Sequence, residues 1–372
     1  MLIGVPAEIK NHEYRVGLAP SSARELVHHG HTVQIQAGAG LGIGAEDAMY
    51  EAAGATIIPT AEEIFAKCDM IIKVKEPQPG ECKMLREGQL LFTYLHLAPD
   101  PQQTKLLMES GCTAIAYETV TDGRGGLPLL APMSEVAGRM SVQAGAHNLE
   151  KAQGGRGVLL GGVPGVAPGR VLIIGGGVSG TNAARMAVGM GADVTILERS
   201  LLRLAQLDDI FQGRAKLLYS TVDALEENAT QADLVIGAVL IPGAAAPKLI
   251  SRDLLKRMHT GSVVADIAID QGGCLETSRA TTHADPTYVE EGVVHYCVAN
   301  MPGAVARTST FALNNATLSF STALADKGWK QAITDDPHLR NGLNVHAGKV
   351  TYKAVADDLS LAYTSADSIL GL

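Results

Sequence analysis

The sequence lacks the features that mark several protein classes. Its five cysteines, Cys68, Cys82, Cys112, Cys274 and Cys297, are odd in number and form no C-x-x-C. Neither a disulfide framework nor a zinc site is indicated, and a reducing compartment is the natural setting. Long apolar runs are missing: "LVIGAVLIPGAAAP" is broken by Pro and Gly well short of the ~20 residues that span a bilayer. The opening "MLIGVPAEIK" carries Glu8 and runs straight into a strand-like pattern, unlike a signal peptide. These absences point to a cytoplasmic protein with no membrane partner. Positive charge is also in deficit. A net charge of -9 argues against nucleic acid as a partner, because neutralising phosphates takes clustered Lys and Arg.

What is present is a turn-rich α/β composition: 46% apolar residues, 19% charged, 4% aromatic, and 41 glycines. A chain of 372 residues exceeds most single cores, so two domains are expected. Over the first ~130 residues, short apolar runs alternate with helical segments, which implies parallel βαβ units. "PSSARELVHHG" reads as a helix with a capping box at Ser22 and Glu25, stopping near Gly30. "QLLFTYLHLAP" reads as one strand reaching Leu97. Residues 131–155 have small-residue helical periodicity, and Ser134, just after Pro132, reads first as an N-cap. A second α/β region begins at Arg170, with strands expected at 171–174, 193–198, 234–238, 262–269 and 294–298. The tail from Arg307 reads as largely helical and too short to stand alone. The expected division is 1–130, completed by 307–372, and 131–306.

The clearest motif is "VLIIGGGVSGTNAARMAVGMGADVTILE". Gly175, Gly177 and Gly180 satisfy G-x-G-x-x-G between a β-branched strand and a small-residue helix. Gly175 permits the tight turn, Gly177 lets backbone N–H groups approach a pyrophosphate, and Gly180 lets helix and strand pack closely. The helix N-terminus adds a complementary partial positive charge. Glu198 lies 21 residues beyond Gly177 and ends the next strand, where a carboxylate can accept from ribose hydroxyls and repel a 2′-phosphate. The expected cofactor is therefore NAD. Arg203 nearby could soften that preference, while Arg199 reads as part of a solvated face.

In an open parallel sheet, ligands bind beyond the carboxyl ends of the strands. Lys75 closes "DMIIKVKEP", His96 closes "LLFTYLHLAP", Asp270 closes "SVVADIAID", and Arg15 lies in the loop after the first strand. Each alone has an ordinary structural explanation: a snorkelling lysine, a core histidine, a turn cap, a loop charge. Together, two cations suit a carboxylate, and a His with an Asp supplies acid–base capacity. The set reads as a site for a small anionic substrate beside a nicotinamide. His28, His29 and His31 resemble a metal cluster but straddle a helix end and the Gly30 turn, so no metal is expected there. Cys274 reads as a small packing residue.

The segments "GVPAEIKNHEYRVGLAP", "VKEPQP", "YLHLAPD", "APMSEVAGRMSVQAGAHNLEK", "GGVPGVAPGRVLIIGGGVSG", "DIAIDQGGCLETSRATTH" and "YCVANMPGAVARTSTFALNNAT" resemble the alanine dehydrogenase family, in order, over essentially the whole chain. The nucleotide-binding alpha part of proton-translocating transhydrogenases is a related group. The resemblance implies two Rossmann-like doubly wound domains with a cleft between them. It also implies NAD-dependent, reversible oxidative deamination of L-alanine to pyruvate and ammonia, and a homohexamer. Matched motif by motif, it places the substrate on Arg15 and Lys75 and makes His96 and Asp270 the catalytic pair. It puts cofactor contacts on Ser134, Val178, Glu198, Arg203, Ser220, Val239, Leu240, Ile267, Asp270, Arg279, Val298 and Met301, beside the three loop glycines. Glu198 stands where the family usually has Asp. The competing readings are a transhydrogenase-like nucleotide-binding subunit without substrate chemistry, an NAD-sensing module, and a relative acting on lysine and 2-oxoglutarate.

Overall fold

The computed structural model describes residues 1–239 and 246–372. Among the described residues, fifteen strands follow one another. They are β1 (Leu2–Val5), β2 (Thr32–Gln36), β3 (Thr56–Ile58), β4 (Met70–Ile72), β5 (Leu90–Thr93), β6 (Thr113–Ala116), β7 (Arg170–Ile174) and β8 (Asp193–Glu198), then β9 (Lys216–Tyr219), β10 (Leu234–Gly237), β11 (Val263–Asp266), β12 (Thr287–Glu290), β13 (Val293–Tyr296), β14 (Leu343–His346) and β15 (Lys349–Val350). Their contacts divide the chain into two units: Met1–Met133 with Val305–Leu372, and Ser134–Ala304.

In the first unit, an eight-stranded sheet has the order β15-β14-β6-β5-β4-β1-β2-β3. The six strands from β3 to β6 are parallel, and β14 adds antiparallel to β6. The tail therefore supplies two strands as well as the 22-residue helix Ala306–Lys327. That helix ties itself to the loop after β1: Asn314 Oδ1 accepts from the Ala19 N–H at 2.7 Å. The helix Pro20–His28 starts with Pro at its first turn and has no side-chain cap. Ser22 is buried inside it, so the expected capping box does not form. The fixed φ of proline already sets that entry. His29 and His31 both contact the carboxylate of Asp326, and among the described residues no group of His, Cys, Asp and Glu could hold a metal.

The second unit carries a seven-stranded sheet, ordered β12-β13-β11-β10-β7-β8-β9, with only β12 antiparallel. Its apolar runs cover both faces. Val171, Ile173, Val194, Ile196, Leu234 and Ile236 pack into one core, while Leu172, Ile174, Leu197, Val235 and Val264 pack into another. Burial on both faces explains why these strands read as continuous rather than alternating hydrophobics. β9 and β12 have no sequence-level signal of that kind, because both lie toward the sheet's margins and keep polar or exposed residues. Among the described residues, no helix is long and apolar enough to cross a membrane.

Candidate active site

The glycine loop has the conformation its spacing requires. Gly175 follows β7 with φ +100°, Gly177 caps the helix Val178–Gly189, and a Cβ on Gly180 would lie 1.8 Å from the Gly175 carbonyl oxygen. A Cβ on Gly177 would meet no protein atom within 4 Å, which leaves space beside the helix N-terminus for a ligand. Glu198 ends β8 and turns back onto this loop. Its Oε2 accepts from the Gly176 N–H at 2.8 Å, and its Oε1 accepts from Arg199 and Ser200 N–H at 2.7 and 2.9 Å. A carboxylate has about four lone-pair sites, so acceptor capacity remains for a ribose hydroxyl. Arg203 donates to the Gly176 carbonyl at 2.7 Å and to Thr181 Oγ1 at 2.8 Å, bracing the loop from outside.

The other expected cofactor residues fall along the same sheet edge. Ser220 follows β9 and its N–H donates to the Glu198 carbonyl. Val239 follows β10, and Leu240 lies outside the described residues. Ile267 and Asp270 follow β11, and Val298 and Met301 follow β13. Since β9, β8, β7, β10, β11 and β13 are all parallel, these positions share the carboxyl edge. Val178, the first residue of the loop's helix, is exposed there. Arg279 stacks its guanidinium 3.8 Å above the Tyr288 ring.

Two of these cofactor-side placements differ from expectation. Ser134 is not an N-cap: the helix Ala131–Asn148 already includes it in its first turn. One turn on, a Cβ at Gly138 would lie 2.1 Å from the Ser179 carbonyl, so this helix passes close to the start of the glycine-loop helix. Asp270 does not close a strand either. β11 ends at Asp266, and Asp270 sits exposed in the 3-10 turn Ile267–Gln271. Asp266 is the buried acid, accepting from Ala268 and Cys274 N–H and from Ser278 Oγ. Its carboxylate is consumed in shaping the turn that presents Asp270.

In the first unit, the expected substrate residues follow β1, β4 and β5, which are neighbours in the sheet. Arg15 is almost fully buried, and its Nε and Nη2 each lie 2.6 Å from a different oxygen of Glu13. Its Nη1 donates toward Met133 Sδ at 3.0 Å. Burial alone would lower the guanidinium's pKa, but the hydrogen bond and charge of Glu13, with Tyr94 and Glu8, together outweigh it and raise it. Lys75 lies three residues beyond β4. Its N–H faces Glu8 Oε1 at 3.4 Å, and its carbonyl accepts from Thr93 Oγ1 at 3.0 Å.

β5 ends at Thr93, so His96 is in the loop rather than on the strand. It adopts φ +49°, uncommon for a residue with a Cβ. Glu118, just past β6, accepts from the Leu95 and His96 N–H groups at 3.2 and 2.7 Å and thereby holds this turn. The turn moves the imidazole off the buried face: it is 43% exposed, lies 4.0 Å from Glu118, and stacks nearly parallel to Tyr94. Tyr94 is buried, its hydroxyl donates to the Leu129 carbonyl at 2.5 Å, and burial pushes the phenol's pKa well up while Arg15 opposes the rise. Sequence reasoning passed over Glu8, Glu13, Lys73, Tyr94 and Glu118. The available signal was an unusual density of charge at the exits of strongly apolar strands.

The descriptions "Alanine dehydrogenase/PNT, N-terminal domain" and "Alanine dehydrogenase/PNT, C-terminal domain" match residues 4–137 and 141–353. The chain is 64% identical over 371 residues to an alanine dehydrogenase of Halomonas elongata and 55% identical over 371 residues to that of Bacillus subtilis. All of this chain is covered in both cases, with 100% and 98% of the relatives' lengths. A solved L-alanine dehydrogenase superposes with a TM-score of 0.94 at 54% identity, covering 97% of this chain and 99% of the other. A transhydrogenase structure from Sinorhizobium meliloti matches with a TM-score of 0.83 at 24% identity, covering 94% and 100%, and shares the fold. The chain belongs to the alanine dehydrogenase/PNT family.

Proposed function

We propose that the protein is an NAD-dependent L-alanine dehydrogenase that interconverts L-alanine with pyruvate and ammonia. The observation that carries this reading is that Arg15, Lys75 and His96 lie in the segments that follow three adjacent parallel strands, in a chain that matches alanine dehydrogenases along its full length. A nucleotide-binding subunit without substrate chemistry has no need of this charged set.

Gly175, Gly177 and Gly180 form the pyrophosphate cradle, and Glu198 accepts from the adenosine ribose and disfavours a 2′-phosphate. Ser134, Val178, Arg203, Ser220, Val239, Leu240, Ile267, Asp270, Arg279, Val298 and Met301 complete the cofactor set. When bound, NAD supplies the hydride acceptor for the substrate Cα–H. Arg15 and Lys75 hold the substrate carboxylate as a fork and a point charge. His96 moves protons at the substrate nitrogen and at the water oxygen that replaces it, a task suited to an exposed imidazole. The Asp270 carboxylate supports positive charge at that nitrogen. The first unit thus carries the substrate, the second the cofactor, and the working form is a cytoplasmic homohexamer.

The test follows NADH absorbance with purified protein, offering L-alanine, glycine, serine and lysine with NAD and NADP in turn. L-alanine with NAD is expected to turn over fastest. Absence of turnover with every amino acid would refute the enzyme reading, and preference for lysine with 2-oxoglutarate would redirect it.

A further inference from the structure

Lys73 is the first residue past β4, and its side chain is wholly buried. Its Nζ donates to Glu8 Oε2 at 3.1 Å and to Glu81 Oε1 at 2.8 Å. Its N–H bonds the Phe92 carbonyl, and its own carbonyl accepts from Tyr117 Oη. Each carboxylate has a second duty. Glu8 Oε1 accepts from the Val74 N–H at 2.7 Å and faces the Lys75 N–H at 3.4 Å, while Glu81 Oε2 accepts from the Gln78 N–H at 2.8 Å. One ammonium therefore joins the loop leaving β1, the exit of β4 and the short helix Pro79–Cys82.

Stability alone is a poor reason for this arrangement. Well-packed apolar side chains often replace a buried ion cluster at no loss, because desolvation consumes much of the Coulombic gain. The cluster also pairs two carboxylates with one ammonium. Burial raises the pKa of Glu8, with the Lys73 charge opposing the rise. What the ions provide is direction: a carboxylate held from one side by Lys73 presents its other oxygen to the backbone that carries Lys75.

We propose that Lys73 is a positioning residue for substrate binding: acting through Glu8, it fixes the Val74–Lys75 backbone and so sets where the Lys75 ammonium stands. The inference rests on the assignment of Lys75 to the substrate carboxylate. It predicts coupling between two lysines that otherwise differ in burial.

The experiment uses full-length wild type, Lys73→Met, Lys75→Met and the double variant. Pyruvate binding to the protein–NADH complex is read by NADH fluorescence without ammonia, so inactive variants remain measurable. Lys73→Met is expected to weaken pyruvate binding roughly tenfold, within the range of coupling between neighbouring groups, and to leave NADH affinity within about twofold. In the Lys75→Met background it should add nothing. Equal losses in both backgrounds, or no loss at all, would overturn the proposal in favour of a purely structural lysine. Should Lys73→Met not fold, Glu8→Gln keeps the side-chain shape, and the same cycle with Lys75→Met decides by the same outcomes. If Lys75→Met itself leaves pyruvate affinity unchanged, the Lys75 assignment fails and the proposal falls with it. If Lys75→Met weakens pyruvate and Lys73→Met does not, the proposal alone fails.

Discussion

The two units share one strand order and differ at the same edge of the sheet. Read from β3 to β6 and from β9 to β13, each sheet runs third, second, first, fourth, fifth, sixth in its parallel part. At the carboxyl edge of the second unit stand glycines, a helix N-terminus and two carboxylates, Glu198 and Asp266, already held by backbone N–H groups, beside the exposed Asp270. At the edge of the first stand buried ions: Arg15 with Glu13, and Lys73 with Glu8 and Glu81. A diphosphate is bound by peptide dipoles and needs close backbone approach, whereas a small carboxylate needs full charges held at fixed points. One topology therefore carries two differently built edges, and the loops decide which.

The sharpest way to break the comparison is to remove the chemistry from one edge alone. His96→Ala should lower kcat by roughly 10²–10⁴, the usual weight of a general acid–base group, while NADH binding in a fluorescence titration stays unchanged. Full turnover in this variant would remove His96 from the mechanism. The converse change acts on the other edge. Gly180→Ala places a Cβ 1.8 Å from the Gly175 carbonyl. Overpacking of about 1–3 kcal/mol implies roughly 5–150-fold weaker NADH binding by the same titration.

Glu198→Gln should act on cofactor choice and also loosen one side of the loop, because its amide keeps a single acceptor oxygen for the Gly176 N–H on one side and the Arg199 and Ser200 N–H groups on the other. Losing a charged acceptor costs about 1–2 kcal/mol, so the ratio of kcat/KM for NAD over NADP should fall by about tenfold. An unchanged ratio would place discrimination elsewhere.

The smallest expected effect concerns how each sheet treats a titratable side chain. His295 in β13 is buried; its Nδ1–H donates to the Val293 carbonyl and its Nε2 accepts from Thr277. Burial holds its pKa below that of a free imidazole. The unfolded chain therefore binds the proton more readily, so stability is full above about pH 6.5 and declines as pH falls below it. His295→Gln should flatten that part of a Tm-against-pH curve. An unchanged slope would assign the acid sensitivity to other groups.

Much of this was legible in the chain. The glycine spacing, the acid at Glu198 and the parallel strands of both units follow from local sterics and from hydrophobic runs buried on both faces. Asp270 and His96 were placed on strands that stop earlier than their apolar pattern does, at Asp266 and Thr93. Strand ends depend on hydrogen bonding to neighbours, and here Glu118 and Asp266 capture the next N–H groups and turn the chain aside. β14 and β15 were hidden for a similar reason: a short tail segment becomes a strand because the open edge of β6 is there to receive it.

The sequence by itself determined the glycine loop between its strand and helix and which ionisable side chains accompany it, because a glycine loop and an apolar strand are local properties. Only the tertiary structure decided how those side chains are held. Glu8 and Lys73 are 65 residues apart, and Arg15 and Met133 are 118 apart. Whether a charge is a solvated ornament or a buried anchor depends on what the fold brings against it, since desolvation and pairing are properties of the surroundings and not of the residue.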